Sequence, residues 1–385
     1  MREGRMLEQS ELNEVRRLAR EFARRELLPI VEKCDEEERF PREVFAKLVE
    51  TKLHVLQFEE EYGGVGSLQA LAVAAEELAR VDPGFTLSVM ASSQLCGYNV
   101  MRLGTAEQKR RYLGGIAAGK IGCWALTEPD TGSNAVGIQT RAVRDGDHYR
   151  LNGSKTFITN APIADYFIVL AREFGEGIEG GTAFVLERGL PGLEVSKPLK
   201  KMGHRSSPTG QIFLADCKVP ASSVLGAPGK AFIDMKHSLD LERLGFMGIA
   251  LGLMKECRDR AIEYARVRKQ FGKAIAEFQL VQEHLADMVA KVELSEAYLE
   301  KGFALYHAGE PLTFHAAVLK TVGAEWCVSV ADRAVQVLGG NGYMREYTVE
   351  RLLRDARLFP IGGGTSEINK LIVAREAIKR YGRSA

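Results

Sequence analysis

From Leu7 to about Lys120 the apolar residues recur mostly at intervals of three and four, as in Leu18 and Phe22, Leu27 and Ile30, and again in Leu71, Ala74 and Leu78. That period predicts a helical segment of the fold. At Ile121 the texture changes to short apolar runs: Ile121 to Leu126, Gln139 to Val143, Tyr149 to Leu151, Thr156 to Thr159, Tyr166 to Ala171, Thr182 to Leu186 and Ile212 to Leu214. These read as strands, with Asp145-Gly146-Asp147 and Asn152-Gly153 as hairpin-style turns and Gly175 to Gly181 as an exposed hairpin loop. After about Gly229 the helical period returns and runs through four long segments to Arg383, punctuated by Pro311 and by Gly339-Gly340-Asn341-Gly342. The order helix, sheet, helix predicts an α+β fold in three parts, residues 1–120, 121–228 and 229–385. It lacks the strand–helix alternation of a doubly wound sheet, which argues against a Rossmann domain.

Composition narrows the class. With 385 residues, 45% of them apolar, the chain is too long for one core and too apolar to be disordered. Lys and Arg number 52 against 51 Asp and Glu, so the broad positive field that non-specific nucleic-acid binding needs is missing. The six cysteines form no C-x-x-C pair, a pattern of reduced thiols that suits cytosol or matrix, and a cytoplasmic protein of a bacterium or archaeon is expected. A mitochondrial matrix enzyme would require a transit peptide already removed. Met1 to Arg25 carries Glu3, Glu8, Glu11 and Glu14 among its arginines, unlike a targeting segment, and predicts an amphipathic helix. No apolar run approaches the ~20 residues that span a bilayer. The histidines form no spaced cluster, so no metal site is expected.

Gly114-x4-Gly119-Lys120 has P-loop spacing, but Ile121 stands where the magnesium-binding hydroxyl belongs, and the order runs from helix into strand. A helix-ending glycine pair is the better account. Trp124 to Asn134 leaves a strand for a loop rich in hydroxyls and backbone donors, which suits either an ordinary capped turn or a cradle for a polar ring or diphosphate. In Asn152-Gly153-Ser154-Lys155-Thr156-Phe157-Ile158-Thr159-Asn160, the aromatic ring and hydroxyl of Phe157 and Thr159 fall on one side of a strand. They suit a cofactor wall, or equally a core aromatic beside a strand threonine.

Together with Arg268-Lys269-Gln270-Phe271-Gly272-Lys273, Gln336 to Tyr343 and Gly364-Thr365-Ser366-Glu367, these segments resemble the acyl-CoA dehydrogenase family along essentially the whole chain. The resemblance implies an N-terminal helical domain, a central antiparallel β-domain, a C-terminal four-helix bundle, bound FAD and a homotetramer built as a dimer of dimers. It places Trp124, Leu126, Thr127, Gly132 and Ser133 around the flavin, Ser133 also near the substrate's pantetheine, and Phe157 and Thr159 against the ring. Phe157 stands where the family often has tryptophan. Arg268 would reach the diphosphate of a neighbour's FAD, although alone it reads as a solvated surface arginine. Phe271, Gln279, Gln336, Gly340, Thr365 and Glu367 match further cofactor contacts.

One position departs from the family. Its usual catalytic glutamate is replaced by Gly363, in Gly362-Gly363-Gly364-Thr365. The isovaleryl-CoA dehydrogenase branch takes its base from a Leu-Glu-Arg-Leu run, here Leu241 to Leu244, which points to Glu242. Spacing alone shows Glu242 interrupting an apolar stripe of Phe232, Met235, Leu239, Phe246, Ile249 and Leu253, with no cation three or four residues away. That pattern fits either a chemical role or burial with a tertiary partner. The resemblance implies that Glu242 removes the α-proton of a short or branched acyl-CoA while the β-hydride passes to flavin N5, giving a trans-2-enoyl-CoA. The Gly363 N–H would hydrogen-bond the thioester carbonyl, and electrons would leave to electron-transferring flavoprotein. Asp240 and Arg243 are expected near the substrate, or as an ion pair on the helix surface. Cyclic or dicarboxylic acyl-CoA, an oxidase, or a non-catalytic flavin-binding homologue are the alternatives. His204 and Arg205 are expected on a solvated turn.

Overall fold

A computed structural model describes residues 4–175 and 177–382. Among the described residues eight α-helices precede the sheet: α1 Gln9–Phe22, α2 Val31–Glu37, α3 Arg42–Thr51, α4 Leu68–Ala79, α5 Pro83–Met90, α6 Tyr98–Leu103, α7 Ala106–Gln108 and α8 Gly114–Ala117. In α1 the buried face is Leu12, Ala19 and Phe22, whereas Leu18, expected in the stripe, is exposed. Helix α8 ends at Gly119 (φ +98°), as the helix-ending account of that glycine requires. There the chain turns into strand β1, Gly122–Ala125.

Strands β2 Arg141–Asp145, β3 His148–Thr159, β4 Tyr166–Arg172, β5 Gly181–Glu187, β6 Leu193–Val195, β7 Thr209–Pro220 and β8 Val224–Leu225 complete one sheet in the order β6-β7-β3-β2-β4-β5-β8, with β1 against β4. Gly146-Asp147 closes the β2–β3 hairpin as expected. Asn152-Gly153 does not turn the chain. It is a bulge inside β3, where the register on β7 shifts between Leu151 and Gly153, so two expected strands are one. A side chain at Gly153 would collide with Thr140, its built Cβ lying 2.5 Å from Oγ1. The sheet is also not wholly antiparallel, because β1 and β4 pair in parallel.

The chain then forms α9 Ala231–Val267, a small hairpin of β9 Lys269–Gln270 and β10 Lys273–Ala274, and α10 Gln279–His307, α11 Thr313–Leu338, α12 Val349–Ala356 and α13 Ser366–Tyr381. Helix α9 is buried on nearly every side between Asp240 and Cys257, including Leu241, Leu244, Met247, Ala250 and Met254 outside the expected stripe. A helix apolar all round belongs in the middle of its neighbours. It packs on α4 and α11, and its residues join those of α1 and α4 in one core. All six cysteines are buried and unpaired. Among the described residues no helix is long and apolar enough to cross a membrane.

Candidate active site

The loop after β1 is held from below by a buried ion pair. Lys155, fully buried on β3, donates to the Leu126 carbonyl at 3.0 Å and to Glu128 Oε1 at 2.8 Å. Glu128 also accepts the backbone N–H groups of Gln139 and Thr140. Burial pushes the Glu128 carboxyl up, but the Lys155 charge and these hydrogen bonds outweigh it and hold the group below its ordinary value. The Thr156 N–H donates to the Thr127 carbonyl at 2.9 Å, which fastens the loop to the strand carrying Phe157. Neither Lys155 nor Glu128 stood out in the sequence. A Lys and a Glu 27 residues apart carry no signal until the sheet brings them together.

Strict alternation fails at this point of β3. A second bulge lies between Lys155 and Ile158, so Lys155 and Thr156 are both buried and Phe157 takes φ +57° with 69% of its surface exposed. A bulky side chain at positive φ is strained, and such strain gathers at functional sites. Trp124 and Leu126 are half-buried against the cluster that includes Ile168, Met235 and Leu239. Thr127 and Thr159 are half-buried, Gly132 and Ser133 exposed.

Leu239 lies one turn before Glu242 on α9. Glu242 keeps some accessible surface, yet burial dominates its titration and raises its carboxyl to about 7, with Arg243 and Lys320 opposing. The carboxylate has no hydrogen-bond or ion-pair partner among the described residues, so nothing offsets its loss of water at close range. A Cβ placed on Gly363 would sit 3.6 Å from Glu242 Oε1, from Lys320 Cε and from Phe246 Cδ1. Gly363 and Gly364 adopt φ +66° and +81°, and among the described residues no acceptor takes the Gly363 N–H. A lone carboxylate and an unclaimed donor thus converge on one small volume. Gly363 is half-buried and Thr365, the N-cap of α13, accepts from the Ile368 N–H at 3.2 Å. Glu367 is exposed.

Arg243 and Asp240 correct an expectation. Both are buried, with Arg243 Nη1 2.7 Å from Asp240 Oδ1, while Thr313 donates to Asp240 Oδ2 at 2.6 Å. They are a strut between α9 and α11 rather than a helix-surface pair. His204 is likewise not on a solvated turn. Its Nε2 lies 2.9 Å from the Asp355 carbonyl and its ring packs edge-on to Phe359, which seals the sheet against α12.

Arg268, Phe271, Gln279, Gln336 and Gly340 are exposed and stand apart from this cluster. At about 1.5 Å per residue, Arg268 lies ~39 Å along the α9 axis from Glu242 of the same chain. Val267, Phe271, Leu280 and Tyr343 leave apolar surface uncovered around that end of the bundle.

Two helical parts flank a sheet, and a buried carboxylate on α9 stands beside the turn before α13. Comparison with known proteins gives the family. Residues 9–120, 123–217 and 232–378 match the N-terminal, middle and C-terminal domains of acyl-CoA dehydrogenase. A probable acyl-CoA dehydrogenase, YngJ of Bacillus subtilis, is 39% identical over 370 residues, covering 95% of this chain and 97% of that one. Mitochondrial isovaleryl-CoA dehydrogenase of Oryza sativa subsp. japonica is 38% identical over 363 residues, covering 93% and 89%. The solved structure of butyryl-CoA dehydrogenase from Megasphaera elsdenii superposes with a TM-score of 0.94 at 35% identity, covering 97% and 100%. The chain belongs to the acyl-CoA dehydrogenase family. Members of this family are flavoproteins, and the residues here fit that cofactor. Phe157 offers an uncovered aromatic face, and Gly132 stands in open space, with no atom within 4 Å of a built Cβ.

Proposed function

We propose that the protein is an FAD-dependent acyl-CoA dehydrogenase that converts a short or branched-chain acyl-CoA to its trans-2-enoyl-CoA. The observation that carries this reading is the unpaired carboxylate of Glu242, raised to about 7 and 3.6 Å from the Cβ position of Gly363. A base of near-neutral pKa suits removal of a weakly acidic C–H proton. The thioester carbonyl accepts a hydrogen bond from the Gly363 N–H, which stabilises charge developing on its oxygen as the α-proton moves to Glu242. FAD, when bound, supplies the acceptor for the β-hydrogen and its electron pair. Trp124, Leu126, Thr127, Gly132, Ser133, Phe157 and Thr159 are the residues that would hold its ring end. Thr365 and Glu367 flank the same site.

Arg268, Phe271, Gln279, Gln336 and Gly340 lie too far from Glu242 of their own chain to serve the ring end of the same flavin. They fit the far end of a neighbour's cofactor in a dimer of dimers, where the exposed Phe271 and Leu280 would be covered. Electron-transferring flavoprotein is the acceptor we assign. Glycine at 363 leaves room beside the reacting carbons, which favours a branched acyl group. Anaerobic bleaching of the yellow holoenzyme across straight, branched, cyclic and dicarboxylic acyl-CoAs, followed by oxygen-consumption assays, tests this reading. Bleaching with a branched substrate is expected. Full bleaching by the Glu242→Gln variant would remove Glu242 as the base, and rapid oxygen uptake would make the enzyme an oxidase.

A further inference from the structure

A second ionisable group stands at the Glu242–Gly363 volume. Lys320, on α11, is fully buried, and its Nζ donates to the carbonyls of Phe359 and Gly364, the latter at 3.2 Å. Those two carbonyls bracket Pro360-Ile361-Gly362-Gly363, a stretch whose glycines give it little stiffness of its own. The ammonium also lies 5.6 Å from the centre of the Phe246 ring, and Lys320 Cε shares with Glu242 Oε1 the 3.6 Å neighbourhood of the Gly363 Cβ position. A fully buried lysine is costly to keep, and a methionine of similar volume would fill the same space.

We propose that Lys320 is a positioning residue: it ties down the turn that presents the Gly363 N–H, and its charge keeps Glu242 ionisable at neutral pH. The inference rests on Glu242 being the base. The charged groups around the pair are Asp240 and Arg243 on α9, Arg357 in the segment before the turn, and Glu367 at the start of α13. Asp240 and Arg243 neutralise each other at 2.7 Å. Arg357 and Glu367 interact with each other, and Glu367 is exposed, where solvent screens it. Arg243 and Lys320 are the two cations that favour the Glu242 carboxylate, and of the two Arg243 is tied to Asp240, whereas Lys320 is held only by the two backbone carbonyls. Burial lowers the Lys320 ammonium to about 8, which leaves it mainly charged at pH 7.

The test is the anaerobic exchange of the α-hydrogens of butyryl-CoA and isovaleryl-CoA with D2O, followed by mass spectrometry between about pH 5.5 and 8. Holoenzyme of wild type, Lys320→Met, Lys320→Gln and Glu242→Gln is compared, with FAD content and thermal melting recorded for each. Wild-type exchange rises with pH to a plateau as Glu242 ionises. Both Lys320 variants are expected to move the midpoint up by about one pH unit, because a cation favouring the carboxylate form has gone. Lys320→Gln keeps donors for the two carbonyls and retains a plateau near wild type, whereas Lys320→Met also loses about tenfold at the plateau. Unmoved midpoints in both variants overturn the proposal, as does failure of both to fold, which would make Lys320 a folding strut. Undiminished exchange by Glu242→Gln refutes the base assignment itself. A silent Glu242→Gln with unmoved Lys320 midpoints refutes only the inference.

Discussion

If Glu242 is held ready for proton abstraction by burial, the same burial must weaken the fold whenever the group is charged. Glu242→Gln separates the two consequences. The carboxyl is raised from 4.5 to about 7 in the folded chain. At 1.36 kcal/mol for each pKa unit, the ionised side chain costs about 3 kcal/mol of stability. The sign follows from linkage. The folded state holds its proton more tightly, so the stability contributed by the neutral form is complete below pH 4.5 and lost as pH rises through about 7. Glutamine has no charge to lose, so the variant should match wild type near pH 4.5 and exceed it increasingly up to about pH 8. Unfolding entropy of about 2.1 cal/mol/K per residue over 385 residues converts ~3 kcal/mol to roughly 4 °C in Tm. Differential scanning calorimetry of both proteins from pH 4.5 to 8.5, beside the bleaching assay, reads both effects. Melting curves that shift in parallel at every pH would refute the claim that Glu242 is desolvated, whatever the activity did.

Lys155→Met should leave the Glu128 charge buried and unpaired, costing about 3–5 kcal/mol. Weakened FAD retention on gel filtration should accompany the loss, and adding Glu128→Gln should restore part of both. Gly363→Ala meets only ordinary contacts at 3.6 Å but places a side chain at φ +66°. A loss of about 1–2 kcal/mol is expected, together with a fall in kcat/KM for branched relative to straight acyl-CoA. An equal fall for both would show that the added methyl does not face the acyl group. Arg268→Gln should weaken FAD binding and leave the pH midpoint of α-hydrogen exchange where it is. A moved midpoint would contradict the assignment of Arg268 to a distant part of the cofactor.

Periodicity carried much of the architecture because local spacing decides which face of an element can be buried. It gave the helical segments, the short strands of the sheet and the Gly146-Asp147 turn. Glu242 was legible for the same reason: a charge inside an apolar stripe, without a cation three or four residues away on its helix, is conspicuous in one dimension. Five spaced motifs made the family legible as well. What failed was whatever depended on a partner far along the chain. Asn152-Gly153 has the composition of a hairpin turn, but pairing with β7 absorbs it as a bulge. Asp240 and Arg243 look like a solvated helical pair until α11 covers them, and His204 looks exposed until α12 closes over it. Lys155 meets Glu128 across 27 residues, and Lys320 meets the Phe359 and Gly364 carbonyls across 39 and 44.

The sequence by itself determined most of the helical and strand segments and that a carboxylate interrupts the apolar stripe of α9, because backbone geometry and side-chain period are local properties. Only the tertiary structure decided that this carboxylate goes unpaired, that an unclaimed N–H and a buried ammonium share its small volume, and that Phe157 is held strained and bare. Desolvation and Coulomb interaction depend on distance through space, and that distance is set by how the helices and sheet pack.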